Sequence, residues 1–287
     1  MIRILLIAAA FVTAGTAFAQ EEPEGSRVEI NGMQMYYETS GEGDPLIVLH
    51  GAYMNIPTMG EIIPTLAQSR QVIAVELQGH GRTNDIDRPI TYPNLADDVA
   101  AFMEAIGVEK ADIFGYSMGA AVGLQLAIRH PEKVDRAALA SVVYDFEGWH
   151  RDYRAFVPEI VPELFVGTPM EDAYRELAVD PEGFPALVDK LIALEHQPMA
   201  WEDDVAALET PILVIQGDAD IIDHEHTLTM FRLLGGGVMG DQGDPLPKSR
   251  LAILPGTSHT AVLGQTDLLR LLIEPFLDGE TPKGWFD

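Results

Sequence analysis

The hydrophobic positions of this chain fall into short blocks separated by helix-length stretches. Leu46 to Leu49, Val72 to Val75, Ala111 to Phe114 and Ile212 to Ile215 are apolar runs that end in small or turn residues, and Ala137 to Val143 and Arg250 to Leu254 add two more. Unbroken runs of this length predict strands buried on both faces, the habit of a parallel sheet. Arg27 to Glu38 is different: Val28, Ile30, Met33, Met35 and Tyr37 alternate loosely about Asn31-Gly32, which predicts an antiparallel hairpin at the start of the sheet. Residues 21–26, polar and carrying Pro23 and Gly25, read as a loose leader before it. Between the strands, Leu95 to Ile106 repeats its apolar residues near a period of 3.6, and Gly119 to Arg129 is a small-residue helix ended by His130-Pro131. Strand and helix alternating in this way predict one α/β domain around a mostly parallel, eight-stranded sheet flanked by helices.

The alternation is interrupted once. About seventy residues separate Val143 from Ile212, far more than a helix-to-strand connection needs. Helical stretches near Asp152 to Phe165, Met170 to Ala178 and Pro185 to Glu195 predict a helical cap over residues 144–204, inserted into a core made of residues 27–143 and 205–279.

The first residues read as an address. Arg3 is a short positive segment, Ile4 to Val12 is apolar, and Ala17-Phe18-Ala19 before Gln20 fits the small-x-small rule, so residues 1–19 are expected to be a signal peptide cut after Ala19. The apolar stretch falls short of the ~20 residues that span a bilayer. The mature protein is therefore expected to be secreted or periplasmic, off the membrane. The chain has no cysteine, which removes disulfides, thiolate metal sites and a cysteine nucleophile. Its formal net charge of −27 opposes nucleic acids and anionic membranes, both of which need cationic patches. A small-molecule substrate is the expected partner, and nothing in the composition sets an oligomeric state.

Gly115-Tyr116-Ser117-Met118-Gly119 is a G-x-S-x-G sequence directly after one expected strand and directly before a helix, the context in which it places a serine on a sharp turn. A serine hydroxyl becomes a nucleophile only when a base takes its proton, and that base needs a carboxylate to hold its tautomer. His259, in Pro255-Gly256-Thr257-Ser258-His259 after the last strand, is the candidate base. Gly217-Asp218-Ala219-Asp220 follows the penultimate strand, and Asp220 is the candidate acid, with Asp218 as its competitor. The N–H groups of Met118 and of Ala52, the latter behind His50-Gly51 with Tyr53 as its competitor, are the candidate oxyanion donors. Asp218, Asp220, Asp223, His224 and His226 have the side chains of a metal site but no ordered metal signature, and neither metal nor cofactor is expected. Tyr53 and the aromatic and Met residues of the excursion, Phe146, Trp149, Phe156, Phe165, Met199 and Trp201, either line an apolar pocket or form the cap's own core.

With His50-Gly51, Gly79-His80-Gly81-Arg82-Thr83 and His130-Pro131, these motifs resemble the α/β-hydrolase superfamily from about Val28 to Leu277, particularly its capped esterases, lactonases and cofactor-free haloperoxidase-like members. The resemblance implies the α/β-hydrolase fold and hydrolysis of a small carboxylic ester or lactone through an acyl-enzyme on Ser117. Perhydrolysis or carbon–carbon cleavage by the same residues, or a non-catalytic ligand receptor, are the alternatives it leaves. A serine at the nucleophile position argues against the haloalkane dehalogenases and epoxide hydrolases, which use aspartate there. The chain departs from the family habit at Glu76 and Gln78, where aspartate and arginine are frequent, and at Ala120, where glycine is.

Overall fold

In the computed structural model, which describes residues 25–242 and 246–282, Asn31 and Gly32 both take positive φ (49° and 88°) and close the expected hairpin between β1 (Gly25–Ile30) and β2 (Met33–Ser40). Gly25 and Ser26 pair with Glu38 and Tyr37, so the strand starts inside the stretch expected to be leader. The expected signal peptide, residues 1–19, lies outside the described residues.

The apolar runs form β3 (Pro45–Leu49), β4 (Gln71–Val75), β5 (Ala111–Tyr116), β6 (Val134–Ala140), β7 (Ile212–Ala219) and β8 (Arg250–Ser258). The eight strands lie in the order β1-β2-β4-β3-β5-β6-β7-β8, with β2 antiparallel to β1 and β4 and every later pair parallel. This is the α/β-hydrolase fold. The helices of the core are α1 (Ile62–Leu66), α2 (Tyr92–Ala105) and α3 (Met118–Arg129), followed after the excursion by α8 (His224–Leu233) and α9 (Thr266–Leu277). Helix α2 starts three residues before the periodic stretch because Thr91 caps it, its hydroxyl accepting from the Asn94 N–H at 3.1 Å, with Pro93 in the first turn.

The period of two along each strand divides the core. Ile47 and Leu49 face α2 and α3, while Leu46 and Val48 face α1 and α9. Phe102, Phe114 and Phe276 are fully buried anchors in these two layers, each contributing ~1.5–3 kcal/mol by leaving water.

Strand β6 ends at Ala140, short of the expected Val143, because Ser141 turns the backbone to φ 58°. The excursion that follows carries α4 (Arg151–Phe156), α5 (Pro169–Leu177), α6 (Phe184–Glu195) and α7 (Glu202–Ala206). The helix expected over Asp152 to Phe165 breaks into α4 and two 3-10 turns, Val157–Glu159 and Pro162–Phe165. Pro158 and Pro162 lack the N–H that a continuous helix would use. Among the described residues no helix is long and apolar enough to cross a membrane.

Candidate active site

Ser117 stands between the end of β5 and the start of α3 with φ 54° and ψ −117°, a conformation that non-glycine residues rarely hold. A serine before a helix ordinarily caps it, but this hydroxyl makes no capping bond and is free to point elsewhere. The flanking glycines make the turn possible. A Cβ on Gly115 would lie 2.4 Å from the Gly119 carbonyl oxygen, and one on Gly119 would lie 2.2 Å from that of Leu49 and 2.6 Å from that of His50. Backbone atoms cannot yield as a side-chain tip can. Gly119→Ala is therefore expected to destabilise the protein by about 1–3 kcal/mol, read as a lower urea midpoint at unchanged slope; an unchanged midpoint would mean that α3 can back away from β3.

Ser117 Oγ lies 3.0 Å from His259 Nε2, and His259 Nδ1 lies 2.7 Å from Asp220 Oδ1. An ionised carboxylate only accepts, so the proton of the neutral ring sits on Nδ1 and leaves Nε2 to accept from the serine. Asp220 also accepts from the Ser141 hydroxyl through Oδ2 (2.6 Å) and from the Ile221 N–H through Oδ1 (2.7 Å). Burial is the largest single influence on Asp220 and pushes its pKa up. His259, the Ser141 hydroxyl and the Ile221 N–H together outweigh it and hold the carboxyl below its ordinary value. The Tyr116 hydroxyl donates to the His259 carbonyl at 2.8 Å and so ties the histidine loop to the strand that carries the serine.

Asp218, two residues earlier on β7, is exposed and accepts from the Thr257 N–H at 3.0 Å, a bond that fastens the loop leading to His259. Two other members of this Asp and His group are engaged in separate contacts. Asp223 caps α8, and His226 stacks on Tyr144 with ring centroids 4.1 Å apart. Among the described residues no group of three or more His, Asp or Glu side chains is arranged to hold a metal ion.

Met118 occupies the first position of α3, where a backbone N–H has no intrahelical acceptor and the helix dipole favours negative charge. Across from it, the loop after β3 turns sharply at Tyr53, φ 62°. The N–H groups of Ala52 and Tyr53 make no backbone hydrogen bond among the described residues. His50 holds this loop: its Nδ1–H donates to the Gly51 carbonyl (2.8 Å) and its Nε2 accepts from the Leu77 N–H (3.1 Å). Burial drives His50 down to about 3 and His80 beside it down to about 4, so both rings are neutral struts. Glu76 reaches farther than an aspartate would. Its carboxylate accepts from the Ile56 N–H (3.3 Å) and from Arg82 Nη1 (2.9 Å), joining the loops after β3 and β4.

Ser117 and His259 open into a cavity of about 810 Å³. Its floor includes Ala52, Tyr53, Tyr116 and Met118, and Trp149, Phe156, Phe165 and Leu191 come over it from the excursion. Phe165 stacks on Tyr53 with centroids 4.6 Å apart. Three of the residues expected to line a pocket or form the cap's core do not line it. Trp201 packs edge-on against Tyr92 at 5.5 Å, and Phe146 lies in a 3-10 turn packed against the core. Met199 is likewise buried in that core. These three belong to the base of the excursion, where the chain leaves and rejoins the sheet; Tyr53, Trp149, Phe156 and Phe165 do line the cavity.

Residue-by-residue reading of the sequence passed over Ser141, Tyr153 and Glu195. Glu195 had a signal: it stands four residues after Leu191 and seven after Val188, on the apolar stripe of α6. A carboxylate on a buried stripe calls for a reason.

A family model described as the alpha/beta hydrolase fold matches residues 44–165. The chain is 28% identical over 235 residues to a 2-hydroxymuconate semialdehyde hydrolase of Pseudomonas sp. (strain CF600), covering 74% of this chain and 83% of that protein. It is 27% identical over 254 residues to a pimeloyl-(acyl-carrier protein) methyl ester esterase of Chromobacterium violaceum, covering 84% of this chain and 98% of that one. In structure it is similar to the enol-lactonase from Burkholderia xenovorans LB400, with a TM-score of 0.67 at 19% identity over 88% of this chain and 99% of the other. At that identity the structural likeness speaks for the fold and not for the substrate.

Proposed function

This chain is an α/β hydrolase in fold, and from that premise we propose that it is a serine hydrolase that cleaves a small carboxylic ester or lactone through an acyl-enzyme on Ser117. The observation that carries the reading is the unbroken relay from Ser117 Oγ to His259 Nε2 (3.0 Å) and from His259 Nδ1 to Asp220 Oδ1 (2.7 Å), set at the floor of an apolar cavity.

In the first half-reaction Ser117 Oγ adds to the substrate carbonyl carbon while its proton passes to His259 Nε2. The imidazolium that forms faces the Asp220 carboxylate, which the Ser141 hydroxyl and the Ile221 N–H keep ionised and oriented. The carbonyl oxygen, now an anion, is stabilised by the N–H of Met118 and by that of Ala52 or its neighbour Tyr53. Collapse of this intermediate breaks the bond to the alkoxy group, which leaves as the alcohol with the proton from His259. Water then repeats the steps on the acyl-enzyme, giving the acid and restoring Ser117. The mature enzyme works outside the cytoplasm if residues 1–19 are the export signal that they resemble.

Carbon–carbon hydrolysis is the second reading, and the relative named 2-hydroxymuconate semialdehyde hydrolase favours it. A muconate semialdehyde is an anion, however, and the cavity lining contains no lysine or arginine among the described residues. Product analysis separates the two. Incubated with p-nitrophenyl butyrate, a small lactone and 2-hydroxymuconate semialdehyde, the enzyme is expected to open the first two; turnover of the semialdehyde alone would replace ester chemistry with carbon–carbon cleavage.

A further inference from the structure

The cavity is mostly apolar; Glu61, Thr58 and Thr260 are exposed along it, and away from Ser117 it holds one half-buried carboxylate. Glu195 enters it from the last turn of α6, and the side chains of Tyr53, Tyr92 and Tyr153 line the same space. The bonds among these groups are sparse. Tyr153 donates to Glu195 Oε2 at 3.3 Å, no lysine or arginine forms an ion pair with Glu195 among the described residues, and the Tyr53 hydroxyl is buried with no hydrogen-bond partner. A carboxylate offers about four lone-pair directions, so most of its accepting capacity is unspent. Half-buried at the wall of the cavity with one protein donor, and beside a buried Tyr53 hydroxyl that has none, this carboxylate has accepting capacity open to a donor that arrives with the substrate.

We propose that Glu195, with the hydroxyls of Tyr53, Tyr92 and Tyr153, is a specificity subsite that receives a hydrogen-bond-donating end of the substrate, a hydroxyl or an amino group, and rejects substrates that carry a carboxylate there. This rests on the ester-hydrolase reading of Ser117 and narrows it. A donor satisfies Glu195 and lets the Tyr53 hydroxyl share in the network. A plain alkyl end leaves both unpaired, and a carboxylate meets a like charge with no cation in the lining to offset it. Burial pushes Glu195 up, only partly countered by the Tyr153 hydroxyl and His196, which agrees with a carboxyl short of partners in the free protein.

The test compares ethyl hexanoate and ethyl octanoate with their ω-hydroxy and ω-amino counterparts and with monoethyl adipate, on the full protein, with fluorophosphonate labelling of the same samples. The wild type is expected to favour the hydroxy or amino ester over the plain one by about tenfold to a hundredfold in kcat/KM at the chain length that fits, and to be poorest on the adipate ester. Glu195→Leu should bring that ratio to near one. Glu195→Gln should keep a preference for the hydroxy ester while losing it for the amino ester and gaining on the adipate ester. Glu176→Gln, which removes an exposed charge at the end of α5, should leave the ratios as they are in the wild type. Because each ratio is taken within one variant, a partly unfolded sample does not distort it. Hydrolysis with flat ratios in the wild type, or ratios that survive Glu195→Leu, overturns the subsite alone. No hydrolysis and no labelling of Ser117 overturns the ester-hydrolase reading and the subsite with it.

Discussion

Ser117→Ala is expected to reduce kcat/KM on p-nitrophenyl butyrate by a factor of ~10⁴ or more while leaving the thermal midpoint within a few degrees of the wild type. The size follows from what the hydroxyl does alone. It is the group that His259 Nε2 meets at 3.0 Å, and its own conformation is held by backbone contacts that alanine retains: the Ser117 N–H donates to the Ala140 carbonyl at 2.9 Å, and the Ser117 carbonyl accepts from Ala120 and Ala121. Removing Oγ therefore takes away the proposed nucleophile without disturbing the turn that presents it. What would remain, the proposed oxyanion donors and substrate binding, gives a residual acceleration of about 10³–10⁴ over water. A variant that kept activity within tenfold of the wild type would remove Ser117 from the reaction.

The second large effect discriminates between two aspartates only two residues apart. Asp220→Asn is expected to lower kcat by ~10⁴, because an amide at that position can offer its NH₂ to His259 and hold the ring in the tautomer that cannot accept the serine proton. Asp218→Asn is expected to cost less than about tenfold, since an amide oxygen can still accept from the Thr257 N–H that Asp218 holds at 3.0 Å. Steady-state kinetics on the two variants, with folding checked by circular dichroism, reads the contrast directly. Equal losses, or the larger loss at Asp218, would overturn the assignment of the acid.

Much of this arrangement was legible before any coordinates, and the reason is local. The turn at Ser117 needs glycine on both sides for steric reasons, so it leaves a sequence signature wherever it occurs. The parallel strands announce themselves because both of their faces are covered, by α2 and α3 on one side and α1 and α9 on the other. The excursion does not follow such a rule. Its prolines end α4 after Phe156 and leave short turns behind it, so no helical period tells which of Phe146, Trp149, Phe156 and Trp201 face the cavity, and the structure divides them evenly. Ser141 was invisible for a related reason: its role depends on a single residue leaving β6 at φ 58° to meet Asp220 from a strand seventy-nine positions away. Strand ends shifted for similar causes, as at β6, where apolar Val142 and Val143 are buried outside the ladder.

The central claim is that Ser117 is an activated nucleophile and that His259 activates it. The most direct measurement is fluorophosphonate labelling followed by mass-spectrometric mapping of the modified residue, on the wild type and on His259→Ala at matched folding. The account predicts one adduct, on Ser117, forming in the wild type and slowed by orders of magnitude in His259→Ala. Absence of an adduct on the folded wild type, or labelling of Ser117 at the same rate without His259, would contradict it.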